Sequence, residues 1–526
     1  MDTKALRQKI LDLAIRGKLV PQDPNDEPAS VLLGRIRQQK QQMVKEGKLK
    51  PKDIKNDSVI FVGEDNLHYE KFADDSVKCI EDEIPFELPD GWAWSKIGPL
   101  CEYITSGSRG WAQYYSETGS LFLRMGNLSR DSFDLRLDNL QRVNLPDNAE
   151  GTRTRVAEND LLFSITAEIG MLGLIPANFE EAYINQHVGL IRFLKDAQTK
   201  FFPYILMSEF CRDQYCTVQC GMKNSFRLDN IQNILAPVPP LGEQIRIAEK
   251  LSNIWTHIQQ VDTESEAASD IISKAKSKIL DLAIRGQLVP QDPADEPASV
   301  LLERIKAEKE ELIRQGKIKR DKRESVIFRG EDNSYYLRTG ELVESLEDWD
   351  FEELPDSWSV CCLGELCDYG NCTNIDTADI ADSAWILDLE DIEKDSGVVL
   401  QKVRQGERNA GSTKHRFHKG QVLYSKLRPY LNKVVLADED GYCTSEILPL
   451  EFERNILPQY ARYFLMSPAF LRYANKCSYG VKMPRLGTAD GKKAIISVPP
   501  VKEQKRIIMA IELAFAQLAS IAENLA

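Results

Sequence analysis

The chain is short of the residues from which most catalytic centres are built. It has five histidines in 526 residues, and only His415 and His418 lie close together. No carboxylate or cysteine pattern beside them completes a metal-ligand set. The eleven cysteines are scattered and odd in number, which argues against a secreted disulfide framework. No apolar run is read as long enough to span a membrane. The start, Met1-Asp2-Thr3-Lys4-Ala5, has no apolar signal core. A cytoplasmic protein without a membrane partner is expected. No Gly-x-Gly loop follows a strand-like run to cradle a cofactor. Gly406 and Gly411 have P-loop spacing, but Ser412 stands where lysine must meet phosphate charge. No catalytic, cofactor-binding or metal residue is therefore expected in this chain.

Positive charge is also scarce. Lys and Arg number 67 against 81 Asp and Glu, a net charge of −14. Taken whole, that balance argues against a nucleic-acid binder. It conceals segregation, however. Between 408 and 437 stand Arg408, Lys414, Arg416, Lys419, Lys426, Arg428 and Lys433, with no Asp or Glu. A solvated face is one reading of that run, and a phosphate-facing surface is the other.

What the chain does have is a repeat. Residues 9–33 and 278–302 differ only at Lys18/Gln287 and Asn25/Ala294. The likeness continues through Ser58-Val59-Ile60-Phe61 and Ser325-Val326-Ile327-Phe328. It continues again through Leu88-Pro89-Asp90-Gly91-Trp92 and Leu354-Pro355-Asp356-Ser357-Trp358. Each half closes on Val-Pro-Pro-x-x-Glu-Gln, at 238–244 and 498–504. Repeats of this length organise the whole fold.

A heptad seam follows each closing motif. After the first, Ile247, Leu251, Ile254, Ile258, Val261, Ser265, Ala268, Ile272, Ala275, Ile279 and Leu282 alternate steps of four and three. At 1.5 Å per residue, a helix over 243–285 is roughly 65 Å long. After the second, the seam reads Ile507, Ile511, Ala514, Leu518, Ile521 and Leu525. Leu6, Ile10 and Leu13 match the far end of the central seam, and the C-terminal helix matches its beginning. The two chain ends together rebuild one copy of the central helix, short of about one or two turns. The expectation is a pseudo-two-fold molecule with the central helix antiparallel to a composite partner. Two tandem bundles, each packing its own helix, are the plainer alternative. The helices opening at Pro28 and Pro297 are expected to project as hairpins, with Val31, Leu32, Ile36 and Met43 as the apolar face of the first.

The middles, 87–240 and 353–500, read as short strands ending in Gly, Asn and Asp. Leu121–Met125, Asp160–Ile165, Ala384–Leu387 and Gly420–Ser425 are expected strands. Each middle closes with an aromatic helix, near 202–217 and 460–477, and a basic loop, 220–227 and 478–485. Outside such frame elements the two middles do not align.

The paired Pro-Pro-x-x-Glu-Gln motifs with heptad helices, the Leu-Pro-x-x-Trp openings, the Asn159–Ser164 and Gly420–Ser425 strands and the basic loops resemble the DNA specificity subunit of type I restriction-modification systems. The resemblance covers nearly the whole chain, although the duplicated hairpins near Gln22 and Gln291 look like an insertion. It implies an α+β fold with two α/β target-recognition domains on long antiparallel coiled-coil spacers. The expected layout is a spacer helix and hairpin over 1–50, one recognition domain over 51–240, and a central spacer and hairpin over 241–320. The second recognition domain then covers 321–500, and a last spacer helix 501–526. It implies a non-catalytic subunit reading a bipartite site in double-stranded DNA. It further implies two methyltransferase subunits and restriction-translocase subunits as partners, with S-adenosylmethionine, ATP and Mg held by those partners. A scaffold or antirestriction protein that binds methyltransferases without reading DNA is the alternative. The Pro-Pro pairs here lack the polar lead and following aromatic of an amino-methyltransferase loop.

Candidate DNA contacts follow from residue chemistry. Lys426, Arg428, Tyr430, Asn432 and Lys433 interleave cations, an aromatic and an amide. Arg and Lys can read guanine, and Asn can read adenine. Lys414 and Arg416 precede them in the same run, and Lys482 and Arg485 sit in the second basic loop. In the first middle the candidates are Arg109, Arg124, Asn127, Lys223, Asn224 and Arg227. For any single one a phosphate contact outweighs base readout, and for Arg124 a structural role stands level.

Overall fold

Each half opens on a helix whose limits are set by its own residues. Thr3–Ile15 starts at Asp2, whose side chain accepts from Ala5 N at 2.9 Å. It stops before Gly17, which has φ +64. A Cβ there would lie 2.5 Å from Pro89 and 3.1 Å from Trp92. The left-handed turn and the close contact both demand glycine. Gly286, with φ +70, meets Pro355 at 2.5 Å in the same way.

The computed structural model describes residues 2–107, 109–146, 154–216, 227–317, 325–330, 334–346, 354–408 and 411–525. They form two compact units, Met1–Glu264 and Ser265–Ala526, divided inside the 44-residue central helix Leu241–Ile284. Within each unit the spacer and hairpin segments share a core with the recognition module. In the first, Leu11, Ile15, Leu32 and Ile36 pack with Trp92, Phe201 and Leu251. In the second, Ile284, Leu301 and Ile305 pack with Trp358, Phe464 and Ile507. The hairpin helices Ala29–Lys45 and Ala298–Arg314 thus lie against the modules and do not project. Val31, expected on the apolar face, is exposed, because Leu32, Ile36 and the buried Lys40 define the packed side at four-residue spacing. Lys40 reaches inward to Asp57 at 2.8 Å and Gly98 O at 3.0 Å.

The repeated motifs act as a latch. The strand after Trp92, Ala93–Lys96, pairs antiparallel with the closing strand Leu235–Val238. Ser359–Cys362 pairs likewise with Ile495–Val498. Trp92 Nε1 donates to buried Glu243 at 2.9 Å. Gln244 Nε2 donates to Pro239 O at 2.9 Å, and its Oε1 accepts from Thr199 Oγ1 at 2.9 Å. Gln504 bonds Pro499 O at 3.1 Å and Leu457 N at 2.8 Å. Arg246–Asp26 at 2.6 Å and Arg506–Asp295 at 2.7 Å then tie each hairpin turn to the start of the following helix. Each module is closed on itself before the spacer begins.

Between latch strands the first module holds a four-stranded antiparallel sheet, Leu172–Leu174, Leu161–Ser164, Val188–Phe193 and Cys101–Ser106. A second sheet pairs Ala182–Ile184 parallel with Ser120–Leu123. The second module has Val434–Leu436, Val422–Ser425 and Ile447–Leu450 in one sheet. In its other sheet Trp385–Leu387 runs parallel to Gly441–Thr444. The recurrent parallel pair shows a common frame beyond the residues that align. Each expected aromatic helix is broken in two, as Phe201–Leu206 with Glu209–Cys216 and Pro458–Leu465 with Pro468–Lys476. In the second, Ser467 caps a new start by accepting from Phe470 N, and Pro468 has no N–H to continue the first helix.

The seams are buried near the modules and not along their whole length. Val261, Ser265, Ile521 and Leu525 are exposed, and the leader buries Leu11, Ala14 and Ile15 in place of the expected Leu6, Ile10 and Leu13. Ile247 and Leu251 are fully buried in the first unit, and Ile507 and Ile511 in the second. The leader helix runs antiparallel to its part of the central helix, with Arg7 paired to Asp262 at 2.6 Å. The C-terminal helix Val501–Leu525 runs antiparallel to the other part, with Lys276 Nζ 5.6 Å from the Phe515 ring. That C-terminal helix corrects one expectation. With mean hydropathy 1.4 over its most apolar window it has the length and composition of a membrane span. Its charges concentrate at Lys502, Glu503, Lys505 and Arg506, and beyond them only Glu512 and Glu523 are charged. Ile507 and Ile511 are buried in the second unit's core, as a spacer seam requires.

Candidate nucleic-acid interface

The basic run of the second module separates into cations that are neutralised internally and cations that are not. Arg408 reaches Asp391 at 2.5 and 2.7 Å and Asp388 at 3.2 Å. Burial alone would raise the Asp391 carboxyl. Hydrogen bonds from Arg408, the Asp388 backbone and Gln401 outweigh it and hold the group below its ordinary value. Lys414, expected at the surface, is 4 % exposed and bonded to Asp388 at 2.8 Å. It is a structural cation. His415 is also buried, and burial lowers its pKa while its Nδ1 lies 2.9 Å from Ile447 O. Of strand Lys414–Phe417, Arg416 alone is exposed.

The second cluster surrounds the end of strand Val422–Ser425. Leu486 N donates to Lys426 O at 3.0 Å, and Arg428 N donates to Pro484 O at 2.7 Å. Leu427 also bridges to Arg485. These bonds bring the 426–433 segment against the hairpin of Ser478–Tyr479 and Arg485–Leu486. Lys426, Arg428, Lys482 and Arg485, distant in sequence, thereby converge. Arg428 and Asn432 are left-handed, with φ 50 and 48, and bracket the turn Pro429–Leu431. Neither residue is glycine, so the turn stores strain. Arg428 Nε and Asn432 Oδ1 are enclosed without a hydrogen-bond partner, although Asn432 Nδ2 donates to Met466 O at 3.1 Å. Tyr430 is exposed on the turn.

Not every candidate here is free to meet a ligand. Lys433 Nζ donates to Leu389 O at 2.6 Å, and desolvation lowers its pKa. Arg485 grips Glu446 with Nε and Nη2 at 3.1 and 2.9 Å, which cancels its charge and fixes the hairpin. Among the described residues Arg416, Lys426 and Lys482 make no ion pair. Sequence reasoning passed over Tyr479, Val481 and Met483. They are 63, 103 and 49 % exposed on the same hairpin as Lys482. Their aromatic and apolar side chains stand in the sequence of that loop, but its cations point to phosphate contact first.

In the first module Asn127 is withdrawn from the candidates. It is 2 % exposed, its Oδ1 accepts from Arg124 N at 2.9 Å, and its Nδ2 donates to Arg136 O at 2.9 Å. It pins a loop. Arg124 is half-buried and reaches Asn139 Oδ1 at 3.4 Å. Arg109 and Arg227 are exposed. Lys223 and Asn224 lie outside the described residues.

The family model for the type I restriction modification DNA specificity domain matches residues 89–266 and 355–521. The chain is 30% identical over 414 residues to the type I restriction enzyme EcoAI specificity subunit of Escherichia coli, covering 70% of this chain and 63% of that one. It is 26% identical over 406 residues to the EcoEI specificity subunit of Escherichia coli, covering 69% and 61%. The match thus spans under two thirds of those relatives' length. A solved chain of a type I R-M system aligns at 14% identity and TM-score 0.49, over 84% of this chain and 94% of that one.

Proposed function

The chain belongs to the family of type I restriction-modification DNA specificity domains, and we propose that it is the non-catalytic subunit that reads a bipartite site in double-stranded DNA. Each module reads one half of the site. The helices set the distance between halves, and two methyltransferase subunits and restriction-translocase subunits join the assembly in the cytoplasm. S-adenosylmethionine, ATP and Mg belong to those partners.

The observation that carries this reading is the pairing of a repeated latch with unlike surfaces. The strands Ala93–Lys96 with Leu235–Val238 and Ser359–Cys362 with Ile495–Val498 hold both modules in one frame. The second frame presents two cations without an ion pair among the described residues, half-buried Lys426 and exposed Lys482, beside Tyr430 and Tyr479, with Arg416 exposed on the strand Lys414–Phe417 of the other sheet. A phosphate backbone supplies the charge such a cluster lacks, and exposed rings beside cations suit contact with bases.

The test is to exchange 87–240 for the matching segment of a relative and map methylation by the reconstituted complex. Both latch strands move together, so the exchanged module should fold. One half of the methylated sequence should change and the other should persist. A change in both halves together would defeat the two-reader model.

A further inference from the structure

Each unit carries a three-stranded antiparallel meander that the family match leaves out. The first is Ser58–Val62, His68–Phe72 and Val77–Cys79. The second is Ser325–Arg329, Tyr335–Thr339 and Leu342–Ser345. Both fall outside 89–266 and 355–521. Alternation gives each meander two faces. The inner face is anchored. Glu70, 1 % exposed, pairs with Lys96 at 3.1 Å and accepts from Ser58 Oγ. In the second unit Leu337, next to Tyr336, enters the core with Leu346.

The outer faces match one another. Phe61 lies opposite Tyr69 with ring centroids 5.9 Å apart, and Phe328 opposite Tyr336 at 5.7 Å. Cross-strand register puts Val77 on the face of Tyr69, and Val343 on the face of Tyr336. Phe61, Val77, Phe328 and Val343 are 41, 52, 36 and 49 % exposed. Beside the first aromatic pair is a shallow hollow bordered by Phe61, Gly63, Glu64, Asp65, Tyr69 and Val77. Gly63 makes it possible, since a Cβ there would lie 2.8 Å from the Tyr69 ring. Asp65 holds the Tyr69 hydroxyl at 2.7 Å on the rim.

Two features identify what such faces meet. The first is charge. Residues 58–83 hold eight carboxylates and two lysines, and 325–350 hold seven carboxylates and two arginines. The first meander's carboxylates, all among the described residues, repel DNA, while a protein surface with Lys or Arg around an aliphatic knob complements them. Of the second stretch's seven, Glu341 and Glu344 are described. The second is duplication. The modules have diverged, as readers of different half-sites must, but these faces have kept the same exposed Phe beside a half-buried Tyr. Two alike faces on one chain fit two copies of one protein.

We propose that the outer faces of the two meanders are docking surfaces for the methyltransferase subunit, one copy on each. The proposal rests on the reading of this chain as a specificity subunit, which requires that partner in two copies. The partner's contact surface is an aliphatic side chain, seated beside the Phe–Tyr pair, within a ring of basic residues.

The test uses the full chain reconstituted with its methyltransferase subunit, with stoichiometry and affinity read by native mass spectrometry and titration. Wild type should bind two copies. Phe61→Ser with Val77→Ser should weaken one copy by about tenfold or more, the loss of about 1.4 kcal/mol. Phe328→Ser with Val343→Ser should weaken the other copy, and the four together should weaken both. Glu64→Lys, a change at an exposed rim that leaves the sheet intact, should weaken one copy most at low salt. Two copies bound undiminished by the fourfold variant and by Glu64→Lys would overturn the docking faces alone. Loss of DNA or of restriction subunits instead, with methyltransferase retained, would also overturn them. A wild-type chain that binds no methyltransferase would instead bring down the functional reading, and this inference with it.

Discussion

Substituting Arg416, Lys426 and Lys482 together by Gln tests whether the unpaired cations of the basic run and of the second basic loop face phosphate. Among the described residues these cations make no ion pair, and no core contact depends on their charge. Each phosphate contact contributes about 0.9 to the slope of log affinity against log salt, so three should flatten it by about 2.7. If variant and wild type converge near 1 M salt, the loss is about 500-fold near 0.1 M and about 25-fold near 0.3 M. The assay is fluorescence anisotropy of the reconstituted complex on its target duplex across that salt range. Arg408→Gln is the contrasting variant from the same run. Its partner Asp391 is 0 % exposed, so removing the arginine leaves a buried carboxylate and costs about 3 to 5 kcal/mol of stability. It should lower the melting temperature of the second unit and leave the salt slope of the surviving folded protein unchanged. Parallel slopes for the triple variant and wild type would refute a phosphate-facing role for this cluster.

Three further outcomes follow from the packing. Gly286→Ala forces a side chain into a left-handed turn and against Pro355 at 2.5 Å, a cost of about 2 to 4 kcal/mol. Hydrogen exchange should show weakened protection in the second unit only, and Gly17→Ala should mirror it in the first. At alkaline pH the thiols of Cys211 and Cys367, pushed up to about 12 by burial from 9.0, stay protonated in the native state while the unfolded chain ionises. Stability is therefore full below pH 9.0 and falls as pH rises towards about 12, by about 1.4 kcal/mol per pH unit per thiol. Cys211→Ala should make that decline shallower in urea titrations under reductant. Inserting four residues after Val261, which is exposed on the central helix, lengthens it by about 6 Å and rotates the helix beyond the insertion by about 40°. Methylation of duplexes with graded spacers should then favour a gap about one or two base pairs longer, with both half-sites unchanged.

The unequal legibility of this chain has a physical cause. Ile247, Leu251, Ile507 and Ile511 were recognisable because a helix buries every third or fourth residue whatever surrounds it, and all four are fully buried. The latch was half legible. Repetition marked Trp92, Glu243 and Gln244, but nothing local reveals that Trp92 Nε1 would meet Glu243 across 151 positions. Polar candidates were the least legible, because exposure of a charge is decided by partners elsewhere in the chain. Lys414 and Lys426 look alike in sequence. Asp388 lies within 2.8 Å of the first, and no carboxylate among the described residues pairs with the second. A run of one sign is a one-dimensional property, and folding divides it by the acidic residues each cation reaches. This division also reconciles a net charge of −14 with DNA binding. The carboxylates around 388–391 hold Arg408 and Lys414 in place, and those of the meanders lie on another part of the chain. On the proposed reading the charge offered to a duplex is local, a few cations at the turn Pro429–Leu431 and the hairpin ending at Leu486. On that reading, a cluster that small would position phosphates without making the whole surface adhesive to nucleic acid, and discrimination between sites would rest on contacts to bases more than on charge.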